Sequence, residues 1–298
     1  MYPIAIISFN RPDYLEQVLH SLAEQAPPLE APVALFQDGV VNAISGNRYG
    51  DDSMAPHNVE MFQKQFPQGK VFTSPCNLGV ALNFDRAERW IFEEMDAEAG
   101  MIFEDDMVVS PHYVRSLEAM LQMALQDGRV SYVSCYGDVL KPLGDHDPAE
   151  YTPLRFNWAF ALTRKHWLLN KPRVEEYLEI ARTFDYRIRD ITALKKLYQS
   201  WGIDMRFSTQ DVVKTAVCCL NGSVKLNTRG ILGRYIGFRG LHNNGPSRDR
   251  EENRPKVEFY PEPILNFAPP DEETFQRCFK EQDRWSGRIM DARLVNKS

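Results

Sequence analysis

Strand-like and helix-like segments alternate through the first 128 residues of this 298-residue chain. Short runs rich in Val, Ile and Phe are each followed by a longer segment whose apolar residues recur at helical spacing. We therefore predict a mostly parallel sheet with helices on both faces, because parallel neighbours need a crossover connection between them. The predicted strands are 4–9, 33–37, 70–73 and 100–103, and the predicted helices are 12–22, 59–66, 78–96 and 111–126.

Charged and polar residues come directly after three of these strands. Asn10 and Arg11 follow the first strand, Asp38 follows the second, and the triplet Glu104–Asp106 follows the fourth. The carboxyl ends of parallel strands share one edge of a sheet, where ligands gather. Carboxylates at the end of a buried strand are costly without a cation, and a divalent ion that also binds phosphate supplies one. The pattern favours a metal–diphosphate site, whereas the triplet alone also fits a solvated turn.

Composition limits the partners of the chain. It carries 35 Lys and Arg against 41 Asp and Glu, so it lacks the basic patch typical of nucleic-acid binding. No apolar run is long enough to span a membrane, which leaves peripheral contact as the membrane association open to it. The chain opens on a strand pattern rather than a signal peptide, and its five cysteines lack zinc-like spacing. We expect reduced thiols and a cytoplasmic location.

The second half of the chain is less regular. The predicted elements are strands at 130–137, 154–163 and 212–220, and helices at 164–199 and 272–285, with a further short apolar piece at 224–226. Pro172 is expected to break the longer helix, because proline removes a backbone hydrogen bond. Residues 227–242 contain four glycines and three arginines, which predicts a mobile basic loop.

Four motifs together resemble the GT-A glycosyltransferases, and within them the inverting N-acetylglucosaminyltransferase I type. The similarity covers roughly the first 165 residues and is patchy beyond them. The motifs are Ser8-Phe9-Asn10-Arg11, Phe36-Gln37-Asp38-Gly39, Val80-Ala81-Leu82-Asn83-Phe84 and Glu104-Asp105-Asp106 with the continuation Val109-Ser110-Pro111.

The resemblance implies a GT-A fold, in which a Rossmann-like, mixed but mostly parallel sheet is flanked by helices. On this basis residues 1–128 form the α/β half that binds a nucleotide-sugar. Residues 129–246 form an acceptor-side half that carries the catalytic base and a lid, and residues 247–298 form a C-terminal tail with a late helix.

The resemblance also implies roles for the residues at the strand ends. Asp106 would bind Mn²⁺ or Mg²⁺, Asp105 would contact the hydroxyls of the donor sugar, and Glu104 would face the ribose. Arg11 would lie near the base or ribose. Asp38 would accept hydrogen bonds from uracil or ribose. The remaining nucleotide-contacting candidates are Phe9 and Asn77.

Simpler roles compete for two of these positions. Asp38 precedes a glycine and also suits a turn. Asn77 is a candidate helix cap together with Asn83, and we expect capping for at least one of the two.

An inverting transfer needs a general base that takes the proton of the acceptor hydroxyl. Asp211 matches the base-bearing segment of the family best, and Asp204 is its rival. An acid ahead of an apolar segment is often only a cap or turn residue. Trp158 resembles an acceptor-side aromatic that stacks on a sugar face, although a buried core tryptophan is the alternative.

The Gly/Arg-rich segment resembles the lid that closes over the donor. In that interpretation Arg234 or Arg239 reaches the diphosphate, and His242 binds the metal or a phosphate. The N-acetylglucosaminyltransferase I pattern does not require a histidine there, so a surface role for His242 stays open.

Together these features predict a metal-dependent inverting glycosyltransferase. It would move a hexosyl or N-acetylhexosaminyl group from a nucleotide-sugar, a UDP-sugar by resemblance, to a hydroxyl of a glycan or lipid-linked acceptor in polysaccharide biosynthesis. One alternative is a sugar-phosphate nucleotidyltransferase, which usually has a glycine-rich phosphate loop where this chain has Pro12, a residue without a backbone N–H. A non-catalytic nucleotide- or glycan-binding module is the other alternative.

Overall fold

The computed structural model describes residues 1–138, 143–238 and 258–287, and a mixed sheet forms its centre. The strands are β1 (Ile4–Ser8), β2 (Val33–Gln37), β3 (Lys70–Thr73), β4 (Ala99–Glu104), β5 (Met107–Val109), β6 (Val130–Ser134), β7 (Tyr151–Pro153), β8 (Ala159–Thr163), β9 (Val224–Thr228) and β10 (Gly233–Tyr235).

Within the described residues, eight strands pair in the order β3-β2-β1-β4-β8-β6-β9-β7, and β5 pairs with β10 in a separate ribbon. β1 to β4 are parallel, as are β6 and β9. β8 and β7 each run antiparallel to their neighbours.

Helices pack against this sheet. They are α1 (Pro12–Ala23), α2 (Met54–Gln65), α3 (Val80–Arg89), α4 (Tyr113–Gln126), α5 (Arg164–Ala181), α6 (Ile191–Ser200), α7 (Gln210–Leu220) and α8 (Glu272–Ser286). A short π-helical turn (Trp90–Glu94) extends α3. The predicted α/β class, a mostly parallel sheet flanked by helices, is confirmed. Within the described ranges, none of the helices combines the length and apolarity needed to cross a bilayer.

Two apolar cores hold the elements together. The larger surrounds the sheet, where Phe36 stacks on Phe72 with ring centres 4.8 Å apart. The smaller lies among α3, α5, α6 and α7 and is built from residues such as Tyr177, Tyr198 and Val213. The second core fixes α7 beside the carboxyl ends of the strands.

The strand register brings the predicted site residues to one edge. Ser8 at the end of β1 pairs with Gln37 at the end of β2, and Ile7 pairs with Glu104 at the end of β4. The chain that follows each of these strands therefore emerges at the same place. The expected shared edge is confirmed.

Two sequence-based element predictions are wrong. Residues 212–220 lie in helix α7, because Val213, Ala216 and Val217 recur at helical spacing and face the second core. Their β-branched content had favoured a strand. Helix α5 continues through Pro172, and the break comes after Ala181.

The predicted mobile loop at 227–242 is also partly wrong. β10 lies inside it and pairs antiparallel with β5, which the sequence did not predict. Gly233 is needed there for close packing, since a Cβ atom would approach Tyr136 Cβ to 2.8 Å. Residues 239–242 lie outside the described residues.

Gly100 in β4 provides a test of how tightly the sheet packs on the turn after α3. A Cβ atom at this position would meet the side chain of Ile91, with Cδ1 at 2.9 Å. We expect Gly100→Ala to lower the free energy of unfolding by about 1–3 kcal/mol, measured by urea unfolding. Gly128→Ala is the control, since its Cβ would meet only the flexible end of Lys165. Equal stability of the two variants would contradict this packing.

Candidate active site

A cavity of about 320 Å³ opens at the carboxyl edge of β1, β2 and β4. Nine of the residues predicted for the site line it. They are Phe9, Arg11, Asp38, Asn77, Glu104, Asp105, Asp106, Trp158 and Asp211. The structure thus gathers residues from both halves of the chain around one space.

The cavity is strongly acidic. Six carboxylates line it, and among the described residues Arg11 and Arg187 are the cationic side chains in its wall. The carboxylates are those of Asp38, Glu104, Asp105, Asp106, Asp185 and Asp211. Such an excess of buried negative charge favours a cationic ligand or a bound metal ion.

Arg11 lies between the last two acids of the triplet. Its Nη1 donates to Asp106 Oδ2 at 2.5 Å, and its Nη2 donates to Asp105 Oδ1. Burial alone would lower the pKa of Arg11, but the charges of Asp105 and Asp106 outweigh burial and raise it. Arg11 supplies the main counter-charge of this acid pair. Its predicted contact with the base or ribose stays a prediction.

Asp106 keeps one oxygen available. Its Oδ1 is buried and has no hydrogen-bond partner among the described residues. Burial raises the pKa of Asp106 to about 6, against the opposing effect of Arg11. A buried oxygen donor without a partner is what a hard cation such as Mn²⁺ or Mg²⁺ requires.

The wider donor set also fits such an ion. Within the described ranges, no cluster of three or more His, Cys, Asp or Glu side chains forms a complete metal cage. Mg²⁺ is commonly bound through one or two carboxylates, with substrate phosphates completing its shell. Asp106 at the edge of an open cavity matches that mode of binding.

Buried amides fix the turn that carries Phe9 and Arg11. Asn58 Nδ2 donates to Gln37 Oε1 (2.9 Å) and to the carbonyl of Phe9 (3.0 Å), while Gln37 Nε2 donates to the same carbonyl (2.7 Å). The Phe9 N–H donates to Asp105 Oδ2 at 3.2 Å. No local pattern marks Gln37 and Asn58 as supporting residues, because their partners are distant in the chain.

Asp211 faces the acid triplet from the other half of the chain. It lies in the first turn of α7, and Gln210 Nε2 donates to its Oδ1 at 2.5 Å. Burial raises the pKa of Glu104 well above its usual range, and the charges of Asp106 and Asp211 add to the effect. Burial likewise raises the pKa of Asp211, while Lys225 and Lys214 oppose the rise.

Asp38 is held by the chain itself. Its Oδ1 accepts from the N–H groups of Gly39 (2.9 Å) and Leu78 (2.8 Å), and its Oδ2 accepts from Gly79 N–H and Asn77 Nδ2, both at 3.0 Å. These four contacts join the end of β2 to the start of α3. Its predicted contact with uracil or ribose stays a prediction, although four donors of the chain already occupy its oxygens.

The expected capping role of Asn77 or Asn83 is wrong. The N-cap of α3 is Gly79, which has no side chain to offer. Asn77 donates to Asp38, and Asn83 Nδ2 donates to the carbonyl of Phe36 at 2.9 Å. Both asparagines therefore tie α3 to β2.

Trp158 is sandwiched between two aromatic rings. Tyr235 stacks on one face with ring centres 4.2 Å apart, and Phe156 stacks at 4.5 Å with an interplanar angle of 11°. The stacking of Trp158 on an acceptor sugar stays a prediction, and it requires one of these rings to move. Phe156 is 37% exposed and offers the more accessible aromatic surface.

Two predicted residues of the described part of the chain do not line this cavity, and two more fall outside the described ranges. Asp204 is exposed and does not line it. Arg234 is exposed on β10, and its Cζ lies 5.7 Å from the ring centre of Phe259. Arg239 and His242 lie outside the described residues.

A wall of the cavity that sequence analysis missed is built by two loops. Asp185 Oδ2 accepts from the hydroxyls of Ser45 and Tyr49, each at 2.5 Å, and Arg187 stacks over the Tyr49 ring. Hydrogen bonds from these hydroxyls outweigh burial and lower the pKa of Asp185. No local pattern marks these loop residues, since their contacts span about 140 residues of chain.

Several solved structures have a similar fold. One is a structure of S. aureus TarS residues 1–349, with 11% identity, a TM-score of 0.44, and coverage of 78% of this chain and 59% of that one. The chain thus spans less than two thirds of the TarS structure. No protein-family model and no curated protein sequence matches this chain.

Two further similar structures are enzyme complexes. One is glucosyl-3-phosphoglycerate synthase from Mycobacterium tuberculosis with Mn²⁺, UDP and glucosyl-3-phosphoglycerate, at 12% identity and a TM-score of 0.42, covering 83% of this chain and 76% of that one. The other is the galactosyltransferase LgtC with donor and acceptor sugar analogues, at 13% identity and a TM-score of 0.36, covering 87% and 98%.

The buried carboxyl of Asp38 predicts a pH dependence of stability. Burial outweighs its hydrogen bonds and raises its pKa to about 6 from 3.8. The folded chain therefore holds this proton more tightly than the unfolded chain. The protonated carboxyl of Asp38 therefore contributes its whole share of the free energy of unfolding below about pH 4. This contribution is lost as the pH rises through about 6.

As the pH rises from 4 to 7, we expect the free energy of unfolding of the wild type to fall by about 3 kcal/mol relative to that of Asp38→Asn. Urea unfolding between pH 4 and 7 measures it. Asp52→Asn at an exposed position is the control. A difference that stays constant with pH would contradict the assigned environment of Asp38.

Proposed function

We propose that this chain is a divalent-metal-dependent glycosyltransferase that takes its sugar from a UDP-sugar and passes it to an acceptor hydroxyl with inversion. The observation that carries the proposal is the buried Oδ1 of Asp106, which has no hydrogen-bond partner within the described ranges and lies in a cavity that Asp211 also lines. One carboxylate suits a metal ion, and the other suits a general base.

Charge balance supports a diphosphate donor that binds together with a metal ion. Six carboxylates and two guanidinium groups line the cavity among the described residues. A diphosphate would be repelled by this surface without additional positive charge. A divalent ion on Asp106 removes that repulsion, and Arg11 or Arg187 can donate to phosphate oxygens.

Each residue of the site then has a defined task. Asp106 would hold the metal ion, which would supply Lewis-acid stabilisation of the departing nucleoside diphosphate. Asp105, held in place by Arg11 and by the Phe9 N–H, faces the donor. Asp211, oriented by Gln210, accepts the proton of the acceptor hydroxyl as the oxygen attacks the anomeric carbon.

The two alternative functions predict different products. A nucleotidyltransferase would release pyrophosphate, and it needs free backbone N–H groups after the first strand. Here the Phe9 N–H is used by Asp105, and Pro12 has none. A binding module would release nothing. Metal-dependent release of UDP from a UDP-sugar distinguishes the transferase from both.

The finer features belong to the same proposal. They are a hexosyl or N-acetylhexosaminyl group as the transferred sugar, a glycan or lipid-linked acceptor, and a role in polysaccharide biosynthesis. The cytoplasmic location and the peripheral membrane contact remain predictions from the sequence.

Asp106→Asn tests the metal site. The amide keeps the shape of the side chain but loses the charge that attracts a divalent ion, so we expect UDP release to fall by about 10³-fold or more. Release is measured for a panel of UDP-sugars with and without Mn²⁺, and Mn²⁺ binding is measured by calorimetry with UDP present. Asp52→Asn is the surface control. Turnover near that of the wild type would refute the metal assignment.

Asp211→Asn tests the general base. Loss of an acid–base group typically costs about 10²–10⁴ in rate, so turnover should fall by that factor while UDP affinity stays unchanged. Asp204→Asn removes the rival carboxylate, which lies away from the cavity, and should leave turnover near the wild-type level. A loss of rate in Asp204→Asn without one in Asp211→Asn would reverse the assignment.

A further inference from the structure

Lys225 on β9 is fully buried behind the wall that carries Asp211. It has 0% exposure, and its Nζ donates to Thr215 Oγ1 at 2.8 Å. Thr215 Oγ1 in turn donates to the carbonyl oxygen of Asp211 at 2.6 Å. Two hydrogen bonds therefore join the buried ammonium to the main chain of the residue proposed as the base.

This ammonium has no ion-pair partner among the described residues. Burying an unpaired charge is costly, so its retention requires compensation nearby. The rings of Tyr132 and Trp285 supply part of it, with centres 5.4 Å and 6.0 Å from Nζ. Among the nearby acidic groups, the carboxylate of Asp211 stabilises the charged form of Lys225 most strongly.

A second buried lysine nearby has a different partner. Lys214, on the same helix as Asp211, pairs with the carboxylate of Glu88, and both side chains are almost fully buried. The charge of Lys214 is therefore already balanced. Of the two lysines behind Asp211, Lys225 is the one whose charge is available to it.

Other titratable groups surround the pair. Those acting on Lys225 are Asp211, Lys214, Cys218 and Cys219. Those coupled to Asp211 are Lys225, Lys214, Glu104, Tyr132, Tyr136 and Tyr186. Burial lowers the pKa of Lys225 to about 8, against the charge of Asp211. Among the groups acting on Asp211, Lys225 opposes the effect of burial most strongly.

We infer that Lys225 is a positioning residue whose buried ammonium, held by Thr215 behind the first turn of α7, keeps Asp211 ionised. The inference deepens the proposed function and rests on it for its catalytic meaning. The charge pairing itself is a property of the chain that can be measured without turnover.

The direct test is the pKa of Asp211 in the full chain. It is followed by ¹³C NMR of labelled aspartate carboxyls, with the Asp211 resonance assigned by its loss in Asp211→Asn. Lys225→Met removes both the charge and the hydrogen bond, whereas Lys225→Gln keeps a donor for Thr215 and removes only the charge. We expect both variants to raise the pKa of Asp211 by about one unit or more.

Lys214→Met is the matched control. It should destabilise the fold, because it leaves Glu88 buried without a partner, yet raise the pKa of Asp211 less than either Lys225 variant. In the wild type, which needs no substitution, the Asp211 resonance should show a second titration step near pH 8 as Lys225 loses its proton. Because this step is attributed to Lys225 rather than to Glu104, it should persist in Glu104→Gln.

The catalytic readout is the pH dependence of kcat/KM for metal-dependent UDP release. In the Lys225 variants, the acid limb of this profile should move to higher pH by as much as the pKa of Asp211 rises. At pH values above the limb the rate should recover, and the KM for the donor should stay unchanged. A merely structural role would lower the rate at every pH.

Each of three results would overturn the inference. The pKa of Asp211 could stay unchanged in both Lys225 variants, or it could rise by the same amount in Lys214→Met. The third result is a wild-type Asp211 resonance without the titration step near pH 8. If Asp211 responds as expected but no UDP-sugar is turned over by the wild type, the proposed function fails and the charge pairing stands.

Discussion

Repulsion among carboxylates in one shielded cavity is the constraint on which the rest of the site depends. Water screens such charges poorly inside a protein, so each one needs its own compensation. Backbone N–H groups hold Asp38, hydroxyls hold Asp185, and Arg11 bridges Asp105 and Asp106. Among these carboxylates, Asp106 has the buried oxygen that lacks a partner within the described residues.

The topology explains how these charges come together. Parallel β1, β2 and β4 deliver their following residues to one edge, and the second apolar core places the first turn of α7 opposite them. The N-terminus of a helix carries partial positive charge, which favours a carboxylate at Asp211. The local chain thus contributes to the same electrostatic balance as the side chains around it.

Local pattern was sufficient to predict strands β1 to β4 and the shared edge at Asp38 and Asp106, but it did not predict β5. It was insufficient where tertiary contacts decide the outcome. Residues 212–220 have β-forming side chains but fold as a helix, because their apolar face packs on the second core. No spacing in the sequence reveals the partners in three of the observed arrangements. These are the bridging of the acids by Arg11, the stacking of a ring on each face of Trp158, and the burial of Lys225.

Under the proposed function, the same charge balance couples the binding of metal and donor. Arg11 already neutralises part of the acid pair, and Asp106 offers a divalent ion one uncommitted, buried oxygen. A single protein oxygen holds such an ion weakly, whereas a diphosphate alone meets an acidic wall. Each partner would supply what the other lacks, because phosphate oxygens would add ligands for the ion and the ion would offset the repulsion from the acidic wall. The small number of protein ligands in the described part of the chain is therefore a reason for metal and nucleotide to bind together rather than an objection to a metal site.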